Sequence, residues 1–175
     1  MIYDQTIPVF TQQTRALLGQ LSKAADWCAE QGVAEADLLD TRLAPDMFPL
    51  AKQLDFVVNQ LLRPMRLLAA REITDPPEAA PTIAAHRGRL KAALALIADV
   101  DAAQLDANPD RMIALDLPNG MAFDLPAAAY VRDWALPQFW FHIMTAYALL
   151  RMRGVPIGKA DHVPYMMQHL RPAAA

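Results

Sequence analysis

Residues Ala127 to Gly154 read AAAYVRDWALPQFWFHIMTAYALLRMRG. Every other segment must fit this one, because it is the longest apolar stretch in the chain and it carries a histidine on what reads as a core face. Tyr130, Trp134, Phe141, Thr145, Ala148 and Met152 recur at steps of three and four, with one doubled step across Gln138, as one stripe of a helix does. Gln138 and His142 are four residues apart, so their side chains lie one turn apart on nearly the side that carries Trp134 and Thr145. Two polar groups in that position need partners from a facing element. Pro126 suits the first turn of this helix. Pro137 interrupts it and frees a carbonyl near Asp133, and a bend there serves either a site or simply the wrapping of a core. Gly154 followed by Pro156 stops it, with Arg151 and Arg153 set against the negative helix end.

Immediately upstream, RMIALDLPNGMAFDL (Arg111–Leu125) holds two alternating apolar and polar runs around Pro118-Asn119-Gly120. Asn-Gly between such runs predicts a β-hairpin, because both residues accept positive φ. Three more helical stripes precede it. The first begins at Pro8, follows Phe10, Thr14, Leu17, Leu21, Ala24 and Cys28, and ends near Gln31 at Gly32. The second is expected to start from Asp46 as N-cap, to carry Leu50, Leu54, Val57, Leu61, Met65 and Leu68 with Gln53 beside that face, and to kink or break at Pro64. The third runs from Thr82 through Ile83, Arg87, Leu90, Leu94 and Ile97 to near Val100, with His86 bordering its apolar side as a structural histidine. Short helical turns are expected in AEADLLD (Ala34–Asp40) and DAAQLD (Asp101–Asp106), and DPPEAAP (Asp75–Pro81) reads as a stiff, extended linker. His162 and His169, in the tail, are expected in solvent or at an edge.

A chain of 175 residues fits one domain, taken here as 1–175, and can bury an ordinary core without staples. Hydrophobic residues make up 54% and charged residues 20%, which is too apolar for disorder, while the longest uncharged run, Trp134–Leu150, falls short of the roughly 18 residues of a membrane span and is broken by Pro137, Gln138 and His142. A net charge of −3 with scattered arginines argues against nucleic acid as a partner. Cys28 is the only cysteine, on a core stripe, so it reads as a small buried hydrophobe, and neither a disulfide nor a cysteine-based metal site is available. The opening residues lack a basic segment followed by an apolar core, which makes the cytoplasm the simplest location.

Four amphipathic segments and a hairpin predict an all-α four-helix bundle with a small β-hairpin insert before the last helix, in which a site would form between facing helices. A di-iron centre needs two Glu-x-x-His pairs, and none of Glu30, Glu35, Glu72 and Glu78 has a histidine three residues on. Phosphate-binding glycine loops and a Gly-x-Ser-x-Gly elbow are also missing.

The segments LAPDMFPL (Leu43–Leu50), LPQFWFH (Leu136–His142) and AYALLRMRGVPIGK (Ala146–Lys159) resemble a family of uncharacterised bacterial proteins within the DinB/YfiT-like superfamily, and the resemblance covers nearly the whole chain. It implies an up-down-down-up four-helix bundle, often dimeric, so a homodimer is expected. Many members of that superfamily hold a divalent metal on three histidines, one from helix two and a His-x3-His pair from helix four, and some are thiol-dependent transferases or isomerase-like enzymes. Transferred to this chain, those three positions fall on Gln53, Gln138 and His142. A neutral amide oxygen is a poor ligand for the divalent metals that imidazole suits, and a good partner in a hydrogen-bond network. Three readings therefore stand: a small-molecule pocket without metal that includes Gln53, Gln138, His142, Asp46 and Thr145, a buried structural network, and a divalent-metal site. Whether the chain is an enzyme stays open, with His142 the candidate base.

Overall fold

A computed structural model of the chain describes residues 1–171. The fold is mostly helical with one small two-stranded antiparallel sheet. Helix α1 (Ile2–Gln31) starts six residues before Pro8 and runs through it. It ends where Gly32 takes a left-handed φ of 64°, and the Val33 N–H closes on the Cys28 carbonyl at 3.0 Å. That conformation costs a glycine nothing and satisfies a terminal carbonyl. A short α2 (Glu35–Leu39) follows.

Helix α3 (Leu50–Leu68) is continuous through the buried Pro64, so the expected break there does not occur. Asp46 is not its cap. It sits exposed in a turn four residues earlier, Pro49 occupies the cap position, and the Leu50 N–H is taken by the Thr41 carbonyl at 2.9 Å. A main-chain acceptor from the preceding connector thus does what a carboxylate was expected to do. Helix α4 (Ile83–Ile97) starts as expected at Thr82, whose hydroxyl accepts from the Ala85 N–H at 3.2 Å, while Glu35 accepts from the Ile83 N–H at 2.7 Å. Asp101 caps the short α5 (Ala102–Asp106) in the same way.

Strands β1 (Met112–Asp116) and β2 (Ala122–Pro126) pair from Met112 opposite Pro126 to Asp116 opposite Ala122. Of the two turn residues expected at positive φ, only Gly120 has it, at 85°. The loop closes through Gly120 N–H to Leu117 O at 3.0 Å and Leu117 N–H to Met121 O at 2.8 Å. Pro126 ends β2, and the last long helix begins one residue later. It has three parts: α6 (Ala127–Tyr130), a π-helical turn (Val131–Ala135) and α7 (Leu136–Met152). The tail packs a short α8 (Lys159–His162) and a 3₁₀ segment (Pro164–His169) onto α1.

Helix α3 packs against α7 and α4, and α1 packs against α4 and α7. The core between them holds Phe10, Leu17 and Leu21 of α1, Leu54, Leu61 and Met65 of α3, Leu90 and Ile97 of α4, and Phe139, Ala146 and Leu149 of α7. No helix among the described residues is long and apolar enough to cross a membrane.

The inward face of the last helix differs from the stripe expected from sequence. Phe141 and Met152 are 54% and 53% exposed, whereas Phe139, Ile143, Ala146 and Leu150 are buried. The π-turn explains the difference. It adds a residue to one turn: Ala127, Tyr130 and Val131 are buried before or at its start, and from Ala135 the buried positions continue at steps of four, three and four through Phe139, His142 and Ala146. Phe139 meets Phe10 with ring centroids 4.7 Å apart. Phe139→Ala is therefore expected to cost about 3–5 kcal/mol and Phe141→Ala clearly less in urea unfolding. The reverse order would restore the uninterrupted stripe.

Candidate functional site

The polar residues singled out from sequence lie where α3 faces α7. Gln53 is 2% exposed and His142 8% exposed, and His142 Nδ1 lies 2.8 Å from Gln53 Oε1. The proton can be placed. Gln53 Nε2 donates to the Phe48 carbonyl at 3.1 Å, which leaves Oε1 to face the imidazole, and an amide oxygen can only accept. Nδ1 therefore carries the hydrogen and Nε2 the lone pair. The ring is clamped by stacking on Phe56 (centroids 4.6 Å, 28° between planes) and by the edge contact with Phe141 (5.2 Å).

His142 lies on the wall of a cavity of about 640 Å³. One side is an α3 face with Lys52, Phe56, Asn59 and Arg63; the other is the start of the last long helix, with Trp134, Gln138 and Phe141. The linker contributes Asp75 and Glu78 to the rim, and the hairpin tip contributes Leu117, Pro118 and Asn119. Of the residues expected in a pocket, Gln138 and His142 line this cavity, and Gln53 supports it from behind through His142. Thr145 and Asp46 do not line it. The Thr145 hydroxyl is used on the Phe141 carbonyl at 2.7 Å, and Asp46 belongs to the exposed turn before α3.

Burial alone pushes the His142 imidazole down to about 4. A base that weak is poorly matched to proton abstraction near neutral pH but serves well as a neutral hydrogen-bond acceptor. Elsewhere on the wall, Asp55 is ion-paired with Arg89 and lies 3.8 Å from Lys52 Nζ and 3.9 Å from His86 Nδ1. Burial lowers His86 further than Asp55 raises it, so this histidine, 4% exposed, is a neutral structural group as expected. Cys28 is buried and its thiol is pushed up, first by burial and then by Glu35. His162 is half-buried between Trp140 and Tyr147, at the edge rather than free in solvent. His169 is exposed.

Sequence reading passed over Lys52, Asn59 and Arg63, and took Trp134 as core. A faint signal existed, since Lys52, Phe56, Asn59 and Arg63 follow one another by four, three and four along α3, beside its apolar stripe. The linker and hairpin contributions carry no such periodicity.

The family described as Domain of unknown function (DUF1993) matches residues 2–163. The chain belongs to this family. It is also similar, at 26% identity and a TM-score of 0.85, to a DinB family member protein from Shewanella denitrificans known from its crystal structure, over 100% of this chain and 96% of that one. No curated protein matches it.

The donor set here does not suit a divalent transition metal. Gln53 Oε1 is occupied by the His142 N–H, a single imidazole nitrogen is left, and among the described residues no group of three or more His, Cys, Asp or Glu side chains could hold an ion.

The pH behaviour of His142 follows from its depressed value. Neutral in the folded chain down to about pH 4 and ordinary at about 6.5 when unfolded, it adds stability that is complete above about pH 6.5 and is lost as the pH falls toward 4. This one group should remove about 3 kcal/mol over that interval. Its ring resonances should stay unshifted from pH 8 to about 5 in an NMR titration, and a midpoint near 6.5 would contradict the buried neutral form.

Proposed function

We propose that this protein binds a small organic molecule in the cavity between α3 and the last long helix, on a DinB-like up-down-down-up four-helix bundle whose metal seat has become Gln53, Gln138 and His142. The observation that carries this reading is the state of His142. Its Nδ1–H is fixed by Gln53, and its Nε2 keeps a lone pair with no partner among the described residues, on the wall of a cavity within the size range of small-molecule sites. The half-buried Gln138 amide stands one turn away, also without a partner among the described residues, and can present either a donor or an acceptor. Phe48, Phe56 and Phe141 supply apolar surface around them. Such a wall orients a ligand by a few polar contacts and binds it mainly by burial.

The experiment is a thermal-shift screen of small fragments against the wild-type chain and Gln138→Trp, which puts an indole into the cavity. Fragments that bind should raise the melting temperature of the wild type and leave the variant unmoved, since only ligands that bind the folded state stabilise it. Added Zn²⁺ should leave the wild type where it was. Hits that act equally on both proteins, or a Zn²⁺ shift that vanishes in His142→Ala, would defeat this reading.

A second reading concerns assembly. Phe141, Met144 and Met152 leave apolar surface along one side of α7, 54%, 42% and 53% exposed, and we infer that a second copy of the chain covers it in a cytoplasmic homodimer. Light scattering on the eluting protein should give twice the 19.3 kDa chain mass, and Met144→Asp should give the single mass. A wild type that elutes as a monomer at all concentrations ends the idea.

A further inference from the structure

Resting on the reading of the cavity as a ligand site, the charges on its wall point to the class of molecule it takes. Three cations line it: Lys52, Arg63 and Arg89. Arg89 is matched by Asp55, and the same carboxylate draws Lys52, whose ammonium also lies 5.6 Å from the centre of the Phe56 ring. Arg63 is different. Among the described residues it has no carboxylate partner, and its recorded hydrogen bond runs from Nη2 to the main-chain carbonyl of Asp116 at the hairpin. One of five N–H groups is used, and the acceptor is neutral. The positive field of Arg63 reaches the buried Tyr130 phenol, where it opposes the rise caused by burial.

The carboxylates on the same wall do not cancel this charge. Asp55 is taken by Arg89, and Asp75 is held by Arg66 at 2.7 Å. Glu78 lies exposed on the linker at the rim, where water screens it. A half-buried guanidinium with free donors, held in place by a carbonyl, is suited to a carboxylate, which it can meet through two parallel N–H bonds. A phosphate dianion would bring a second charge with no second free cation to meet it.

At the other end of the cavity the requirement is opposite in kind, because His142 Nε2 accepts and must be given a donor. Phe56, which stacks on His142, and Arg63 are seven residues apart on α3, so the two ends are separated by about 10 Å along the helix axis. Aromatic side chains line the space between: Phe56 and Phe141 near the imidazole, and Trp134 on the wall contributed by the π-turn.

We propose that the cavity binds a flat organic monoacid, with its carboxylate on Arg63, its aromatic or conjugated middle against Phe56, Phe141 and Trp134, and a hydroxyl or amine at its far end donating to His142 Nε2. Arg63 and His142 then set both the class of ligand and its direction in the site.

The test uses the full chain and three probes of one shape: 3-(4-hydroxyphenyl)propanoate, its primary amide, and 3-phenylpropanoate, each titrated by calorimetry and ligand-observed NMR. The hydroxy acid should bind about 10- to 100-fold more tightly than the amide, the range for a charge-assisted contact. Arg63→Met should abolish that preference, and Arg63→Lys should keep part of it. Loss of the phenolic hydroxyl should weaken binding several-fold in the wild type and have no effect in His142→Phe. Circular dichroism and melting temperatures show that each variant is folded before it is scored. Equal binding of acid and amide, or an acid preference that survives Arg63→Met, overturns the inference. If acid and amide bind equally and Gln138→Trp blocks both, the ligand-site reading stands and the acid class falls. Failure of all three probes to bind at about 10 mM also overturns the acid class, and the fragment screen then decides the cavity itself.

Discussion

One additional residue in the turn Val131–Ala135 decides which face of the last long helix looks inward. An ordinary α-helix from Ala127 onward would keep Trp134 and Phe141 in line with Tyr130. The wider turn instead rotates everything after Ala135, so that Phe139 reaches Phe10 and His142 reaches Gln53. Pro137, immediately after that turn, cannot donate a main-chain hydrogen bond, so the ladder is already incomplete there and the cost of loosening it is smallest. Trp134 is left half-buried on the cavity wall, with Phe123 of the hairpin 6.3 Å away. Wide turns of this kind recur at functional sites because they re-aim side chains without ending the helix.

The polar groups near this turn are not all balanced. Gln60 Oε1, Tyr130 Oη and Trp134 Nε1 are buried without a hydrogen-bond partner among the described residues, and each such group costs on the order of 1–3 kcal/mol. The His142 and Gln53 pair is the contrast. The ring Nδ1 and both amide atoms of Gln53 are engaged, and two aromatic rings hold the imidazole in place. Gln60 and Trp134, whose polar atoms are among those left unpaired, also line the cavity.

Membership of the family described as Domain of unknown function (DUF1993) and likeness to a DinB family member protein agree with the helical architecture and leave the chemistry to the site. On the reading proposed above, the site serves recognition. A histidine near 4 is a weak base, and the cations on the wall are spent on Asp55 except for Arg63. An arginine anchored to a hairpin carbonyl also makes the hairpin part of the cavity, which gives the insert between α5 and α6 a role beyond connecting helices.

From residue order alone, the helical segments, the hairpin, the stop at Gly32 and the helix start at Thr82 could all be read, because each depends on neighbours within a few positions. The pairing of Gln53 with His142 was also foreseeable in kind, since two polar side chains on core faces must satisfy each other or be lost. What order could not settle was rotation. The last helix is apolar on nearly every side, so its pattern does not mark an inner face, and a π-turn leaves no compositional trace. Nor could it show that the Thr41 carbonyl would replace Asp46 as the cap, or that Asp75, Glu78 and the hairpin tip would close over α3. Those arrangements join residues far apart in the chain, and only the packing of α3 against the last helix brings them to one cavity.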